Sequence, residues 1–231
     1  MKTPDCGKKR QFVQMDLLVT RAWPAGPERG PRGGFTLIEL LAVMVIIGLL
    51  ATFLLTTLGG SDDQVRSKLT KARLAQLATL LETYEGRHGD YPPSSFDPSQ
   101  GALPNQLNMG GEALVVALWS KGFEGGGALE TDDLINSDGD RALRSLTDFP
   151  DSQLFEIRDG WDNPIAYLRA DDYGSEQIYL VSGADGEPFE SRVRAVVDAA
   201  TQRHERTGTF QLHSAGADGE FGTEDDVFSF D

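Results

Sequence analysis

Gly33-Gly34-Phe35-Thr36-Leu37-Ile38-Glu39 runs directly into Leu40-Leu-Ala-Val-Met-Val-Ile-Ile-Gly-Leu-Leu-Ala-Thr-Phe-Leu-Leu55. No charged residue occurs from position 40 to position 61, a run of 22 residues. As a helix this run would measure about 33 Å at roughly 1.5 Å per residue, enough to cross the hydrocarbon core of a bilayer. One acid, Glu39, stands at its start. A carboxylate at the centre of a membrane helix costs roughly 2.5–3.5 kcal/mol, and less toward its end, so Glu39 calls for a counter-charge. Cleavage after Gly34 would create one, because the new amine of Phe35 would lie about one helical turn from the carboxylate. The pair can form within one chain or between chains staggered in a bundle. At ~4 Å and an effective dielectric of ~20 it is worth about 4 kcal/mol before desolvation. A cleavable secretory signal fits poorly, since its apolar region should span only about 7–15 residues.

This Gly-Phe-Thr-Leu-Ile-Glu stretch, with basic residues before it and an uncharged helix after it, resembles the processing and assembly signal of type IV pilins and type II secretion pseudopilins. The resemblance implies cleavage between Gly34 and Phe35 by a prepilin peptidase, methylation of the Phe35 amine with retention of its charge, and a role for Glu39 in admitting subunits to a filament. An ordinary signal anchor with an incidental glutamate is the alternative.

The charge distribution follows the same division. The first 34 residues hold seven basic against three acidic residues, a net +4, leaving fourteen basic against thirty-three acidic, a net −19. Positive charge upstream of the apolar run leaves the N-terminus in the cytoplasm and sends the acidic part outward. A net −19 opposes nucleic-acid binding by bulk electrostatics and suits a hard cation. The single cysteine, Cys6, lies in the leader, so the mature chain would form no disulfide. By resemblance this favours a major pseudopilin, whose C-terminal region uses calcium, over the many type IV pilins that close it with a disulfide. Met15 offers an alternative start that would shorten the leader to 20 residues.

Past the apolar run the helical pattern continues. Val65, Leu69, Ala72, Gln76, Leu80 and Tyr84 recur at three- and four-residue steps, with Lys68, Lys71, Arg73 and Glu82 on other faces. Helix is expected from Phe35 to Tyr84, broken at Gly59-Gly60 and stopped by Gly86, Gly89 and Tyr91-Pro92-Pro93. Relatives of this type commonly carry a proline in the membrane helix; this chain has Thr56-Thr57 there instead.

Positions 86–108 read as a polar loop, and Glu112 to Trp119 as a short buried helix closed by Gly125-Gly126-Gly127. Positions 128–158 are acidic and irregular. Within them Asn136-Ser-Asp138-Gly-Asp140 resembles the start of a calcium loop, but lacks the glycine and distal glutamate of an EF-hand, and reads as a solvated turn. Ile165-Ala-Tyr167-Leu-Arg169 and Gln177-Ile-Tyr179-Leu-Val181 alternate as strands and are expected to pair as an antiparallel hairpin. Glu190 to Arg206 reads as a helix with Val193, Val196, Val197 and Ala200 on one face; Thr209 to Leu212 and Val227-Phe228 read as further strands. His88, His204 and His213 read as surface residues, and no catalytic constellation is evident.

Two C-terminal stretches extend the resemblance. Asp159-Gly-Trp161-Asp-Asn163-Pro164 is similar to the turn that precedes the sheet in major pseudopilins, with Trp161 and Pro164 as a hydrophobic plug. Ser214-Ala-Gly216-Ala-Asp218-Gly219-Glu-Phe-Gly-Thr-Glu-Asp225-Asp226 resembles their calcium loop. That likeness implies direct ligation by Asp218 and Asp225, a ligating or orienting Asp226, and carbonyl ligands from Ala215, Glu220 and Thr223. An acidic surface turn is the alternative. Ser182-Gly-Ala184-Asp185-Gly186 repeats the first half of the motif without the paired aspartates and reads as a turn.

The expected fold is α+β, with a long N-terminal helix, half membrane-spanning and half amphipathic, packed on a small C-terminal antiparallel sheet. Residues 1–34 form a cleaved leader, 35–60 the transmembrane and filament-core helix, and 61–231 an extracytoplasmic globular domain. The resemblance implies a non-enzymatic subunit that homo-polymerises into a pseudopilus. Its partners are a prepilin peptidase, an inner-membrane assembly platform and minor pseudopilins; calcium is its cofactor and the inner membrane its location. The alternatives are a type IV or competence pilin, and a membrane-anchored binding or hydrolytic domain with a deep polar pocket.

Overall fold

The computed structural model describes residues 34–96, 105–120 and 131–230, and only the helical backbone of residues 53–61. Residues 1–33 with Cys6 and Met15, the glycine run at 125–127, and the side chains of Thr56 and Thr57 lie outside the described residues. The chain divides into two compact units, Met1–Leu49 and Leu50–Asp231.

In the first unit, α1 (Leu37–His88) begins after three irregular residues, Gly34, Phe35 and Thr36. Leu37, Ile38, Leu41, Met44, Ile47 and Leu49 are all exposed. A helix apolar on every side has no intramolecular face to choose and must be covered by something outside the chain. Among the described residues no helix is long and apolar enough to cross a membrane; the uncharged run expected to do so continues over 53–61. Gly59-Gly60, expected to break the helix, fall within the bounds of α1.

Among the described residues of the second unit the remainder of α1 joins α2 (Met109–Leu118) and seven short strands: β1 (Leu134–Ile135), β2 (Glu156–Ile157), β3 (Ala166–Arg169), β4 (Gln177–Ser182), β5 (Pro188–Val193), β6 (Phe210–Ser214) and β7 (Val227–Phe228). They form three antiparallel sheets, β1-β2, β3-β6-β7 and β4-β5. The class is α+β, with small antiparallel sheets in place of a single one.

The buried stripe of α1 is Thr70, Leu74, Leu77 and Leu81, with Leu80 beside it. The expected stripe is therefore misplaced at its start: Val65 and Leu69 are 64% and 49% exposed, and Ala72 and Gln76 are exposed too. Leucines at i, i+3 and i+7 outcompete the neighbouring mixed face for the core. There they meet Leu114 and Leu118 of α2, Tyr167 of β3, and Phe210 and Leu212 of β6. Burying this face is worth about 1.5–3 kcal/mol per large side chain. Arg73, next to the stripe, donates to the Arg158 carbonyl at 2.5 Å and pairs with Asp133.

Two expectations about the strands are overturned. β3 does not pair with β4: it pairs with β6 (Tyr167 opposite Leu212), and β4 pairs with β5 (Tyr179 opposite Ser191). A short 3-10 turn at Ala170–Asp172 carries the chain away from β3, while the Ser182–Gly186 turn lets β4 close on the next segment. The helix expected at 190–206 is absent. Its first part is β5, where Ser191 and Val193 are buried at every second position, and Ala195 continues the series. Its second part is a turn closed by Asp198, whose Oδ1 accepts from Ala200 N and Thr201 N at 2.7 Å. The buried Gln211 side chain holds this turn, accepting from Val196 N at 2.7 Å and donating to the Glu205 carbonyl at 2.8 Å.

Two polar expectations are corrected as well. His213 is buried on β6, bonded to Gln211 Oε1 at 2.9 Å and set edge-on against Phe228. The turn at 136–140 is not merely solvated, because Asp138 converges with the buried Glu112 and Glu156.

Candidate assembly motif and C-terminal loop

Thr36 N and Thr36 Oγ1 both donate to Glu39 Oε2 at 2.8 Å, and Glu39 N donates back to Thr36 Oγ1 at 3.3 Å. This is the reciprocal capping box that a Ser/Thr-x-x-Glu spacing builds at a helix start. Leu40 N donates to the Thr36 carbonyl at 3.2 Å and closes the first turn. Glu39 therefore has a local role that the counter-ion reading overlooked, although the Thr36-Leu37-Ile38-Glu39 spacing signals it. The carboxylate also lies where the helix dipole favours negative charge. Gly34 and Phe35 precede the helix in exposed, irregular backbone, with Phe35 86% exposed.

The C-terminal loop leaves β6 at Ser214. Gly216 has φ 68°, and a Cβ there would stand 2.4 Å from the Asp225 carbonyl oxygen, so only glycine permits this close return. Asp225 Oδ2 accepts from Ala217 N at 2.6 Å and Asp218 N at 3.1 Å, and its Oδ1 accepts from Thr223 Oγ1 at 2.6 Å. Burial pushes the Asp225 carboxyl up, but these donors outweigh it and hold the group below its ordinary range. Asp218 Oδ1 accepts from Glu220 N at 2.8 Å, and the Glu220 carbonyl accepts from Thr223 Oγ1 at 3.2 Å. Asp226 Oδ2 accepts from Gly222 N at 2.8 Å, whereas its Oδ1 is buried without a partner. Burial, with Asp225 adding to it, pushes Asp226 up to about 6.

The structure thus brings Asp218, Thr223 and Asp225 into one hydrogen-bonded turn and leaves Asp226 with an unmet oxygen. The orphaned oxygen, the buried Ala215 and the Gly-rich backbone fit a hard cation. The three aspartates are not among the groups of acids whose ligand atoms converge within 4.8 Å among the described residues.

The loop is rooted by residues that carried no assignment in the sequence reading. Asp159, almost fully buried, accepts from Ser214 Oγ at 2.5 Å through Oδ2, and from Trp161 N and Asn163 N at 2.8 and 2.9 Å through Oδ1. Asn163 exchanges bonds with β4, donating to the Ser182 carbonyl at 2.9 Å and accepting from Ser182 N at 2.7 Å. Gly160 N donates to Thr70 Oγ1 of α1 at 2.9 Å. A Cβ on Gly160 would sit 2.5 Å from the Arg66 carbonyl oxygen, so glycine is required for the turn to touch the helix. An Asp and an Asn four residues apart around a turn are the local signal for such a hub. Trp161 packs against the main core as expected, and its Nε1 donates to Asp63 at 3.3 Å.

His204 and His213 lie against Tyr173 and Phe228, and His88 stacks on Tyr84. A groove of about 850 Å³ beside the loop, lined in part by Lys68, Lys71, Trp161 and Asp225, is open to solvent.

Residues 29–55 match the prokaryotic N-terminal methylation motif. The chain is 32% identical over 65 residues to type II secretion system core protein G of Pseudomonas aeruginosa, covering 28% of this chain and 46% of that protein. It is 24% identical over 194 residues to core protein G of Escherichia coli, covering 84% and 88%. The match to core protein G of Xanthomonas campestris is 27% over 80 residues, or 35% and 56%. Two of these three matches thus span about half of the relative. No solved structure matches the chain.

Proposed function

We propose that this chain, a pseudopilin by its methylation motif and its similarity to core protein G, is the repeating subunit of a pseudopilus for type II protein secretion. One observation carries the reading. The helix that follows the motif exposes apolar side chains on every face, so it needs lipid before assembly and other helices after it. In this reading residues 1–34 are removed by a prepilin peptidase, residues 35–60 span the inner membrane and then form the filament core, and residues 61–231 lie in the periplasm. The N-terminus is cytoplasmic, consistent with the basic leader. Assembly proceeds with an inner-membrane platform and minor pseudopilins, and the role is structural, not enzymatic.

Glu39 serves twice. In the free subunit it caps α1 through Thr36. In the filament it faces the cleaved amine of Phe35 on a neighbouring chain. Calcium is held in the C-terminal loop by Asp218, Asp225 and Asp226 with the carbonyls of Ala215, Glu220 and Thr223. It supplies positive charge for the buried Asp226 oxygen and rigidifies the surface presented to neighbouring subunits.

Mass spectrometry of the protein from membranes tests the reading. A chain that starts at methylated Phe35 is expected; an unprocessed leader on all of the membrane-bound protein overturns it. A type IV or competence pilin would be processed identically, so secretion requires a second assay. Deletion should abolish export of folded proteins, and normal export with lost surface pili would favour that alternative.

A further inference from the structure

Glu112, in the first turn of α2, is fully buried, and neither of its carboxylate oxygens has a partner. Both carboxylate oxygens of Asp140 are likewise buried without a hydrogen bond of ordinary geometry, facing Glu112 and the Asn105 backbone. Buried carboxylates are normally hydrogen-bonded or paired, since an isolated one costs several kcal/mol. These two stand in acidic company: oxygens of Glu112, Asp138 and Glu156 all lie within 4.8 Å of one another. Calcium holds oxygens at about 2.3–2.6 Å, so two ligands on opposite sides of the ion stand roughly 4.8 Å apart. No ion pair among the described residues uses any of these four carboxylates.

The cluster is also built from outside. Glu156 Oε1 accepts from Asn108 Nδ2 and Oε2 from Ser137 N, both at 3.1 Å. Asn108 is itself fixed to β4, its Oδ1 accepting from Leu180 N at 2.9 Å. Asp138 Oδ2 accepts from Asn105 Nδ2 at 2.8 Å. These donors orient two carboxylates while leaving the oxygens of Glu112 and Asp140 unmet. Asp138 is only partly buried and provides the approach from solvent.

We propose that Glu112, Asp138, Asp140 and Glu156 hold a divalent cation of calcium type in the globular unit, separate from the C-terminal loop. The site joins α2, the 136–140 turn and β2, segments already tied together by the Asn108 and Ser137 bonds to Glu156 and by the shared core. Without a cation, Glu112 must keep a proton: burial first, and Asp140 next, push it up to about 11. A proton shared between Glu112 and Asp140 is therefore the competing account.

The test uses the full chain in detergent, stripped of cations, with bound calcium measured by equilibrium dialysis. Asp225→Asn/Asp226→Asn removes two of the three loop aspartates, disabling the loop and isolating the new site. In that background one calcium per chain is expected to remain, and adding Glu112→Gln should abolish it. Gln preserves volume and can donate to Asp140, so in chelator this variant should melt no lower than its parent but lose its calcium-induced rise. Asp138→Asn, at the open edge, should weaken binding at least tenfold without touching the core. No bound calcium in the loop-variant background, or equal binding after Glu112→Gln, overturns the proposal and leaves the shared proton. Calcium lost only with the loop substitutions would preserve the loop site alone.

Discussion

Ser214 Oγ donates to Asp159 Oδ2 at 2.5 Å and joins the root of the C-terminal loop to the Trp161 turn. Since Gly160 in that turn rests on Thr70 of α1, the loop is coupled to the helix through one buried carboxylate. Ser214→Ala would strip a donor from it and should cost about 1–3 kcal/mol. Urea unfolding of Ser214→Ala, Asp159→Asn and the double variant should give a coupling of at least ~0.5 kcal/mol. Strict additivity would show that the contact does not stabilise the fold.

Gly160→Ala should be destabilising by about 1–3 kcal/mol, because the new Cβ would meet helix backbone, not a yielding side chain. The urea midpoint should fall with an unchanged slope. An unchanged midpoint would mean that the turn does not touch α1 in solution.

The two roles of Glu39 separate by substitution. Glu39→Gln can still serve a capping box but carries no charge, so helix content and cleavage after Gly34 should be retained while filament yield drops. Thr36→Ala should cost the helix start about 0.5–2 kcal/mol while leaving the charge in place. Filaments sedimented from membranes give the readout. Equal yields from Glu39→Gln and the parent would reduce Glu39 to a helix cap.

Loop calcium predicts an asymmetric response at Asp226, best read in a Glu112→Gln background to silence the acidic cluster. With calcium at about 100-fold over Kd the parent loop should gain about 2.7 kcal/mol, and Asp226→Asn should gain far less. In chelator Asp226→Asn should be no less stable, because it replaces a buried oxygen that has no partner. Identical calcium-induced shifts in melting temperature would remove the loop site.

Tyr173 gives an alkaline signature. Burial, opposed by Arg206, pushes its hydroxyl up to about 12, and that hydroxyl donates to the Arg206 carbonyl at 3.2 Å. A raised folded value means the contribution is complete below about 10 and is lost as pH rises toward 12, with a limiting slope of about 1.4 kcal/mol per pH unit. The stability difference between the parent and Tyr173→Phe should therefore shrink across that window. A difference independent of pH would place the hydroxyl in water.

Much of the fold was legible because its signals are local. The Phe-Thr-Leu-Ile-Glu start, the apolar core of α2 and the alternation in β3 and β4 each act within a few residues, whereas the stripe that α1 buries, Leu74, Leu77 and Leu81, is not the one its periodicity suggested. Pairing was not legible: β3 and β4 look like a hairpin, yet each found another partner, because edge compatibility depends on which side chains share a core. The 190–206 segment misled for a related reason. Its valines satisfy a helical period, but burial of Ser191 and Val193 selected a period of two, and the Gln211 side chain settled the turn that follows.

Sequence alone determined the apolar helix with one acid at its head and the charge reversal across it, since hydropathy, charge and a four-residue cap are properties of neighbouring residues. It determined too that the C-terminal loop is rich in glycine and aspartate. Only tertiary structure decided that Asp159 roots that loop, and that Glu112, Asp138 and Glu156, from three distant segments, converge with Glu112 and Glu156 buried. A carboxylate on its own has no preference for another carboxylate. Such groups converge when the packing of apolar neighbours brings them together or a shared cation bridges them, and either depends on the whole core.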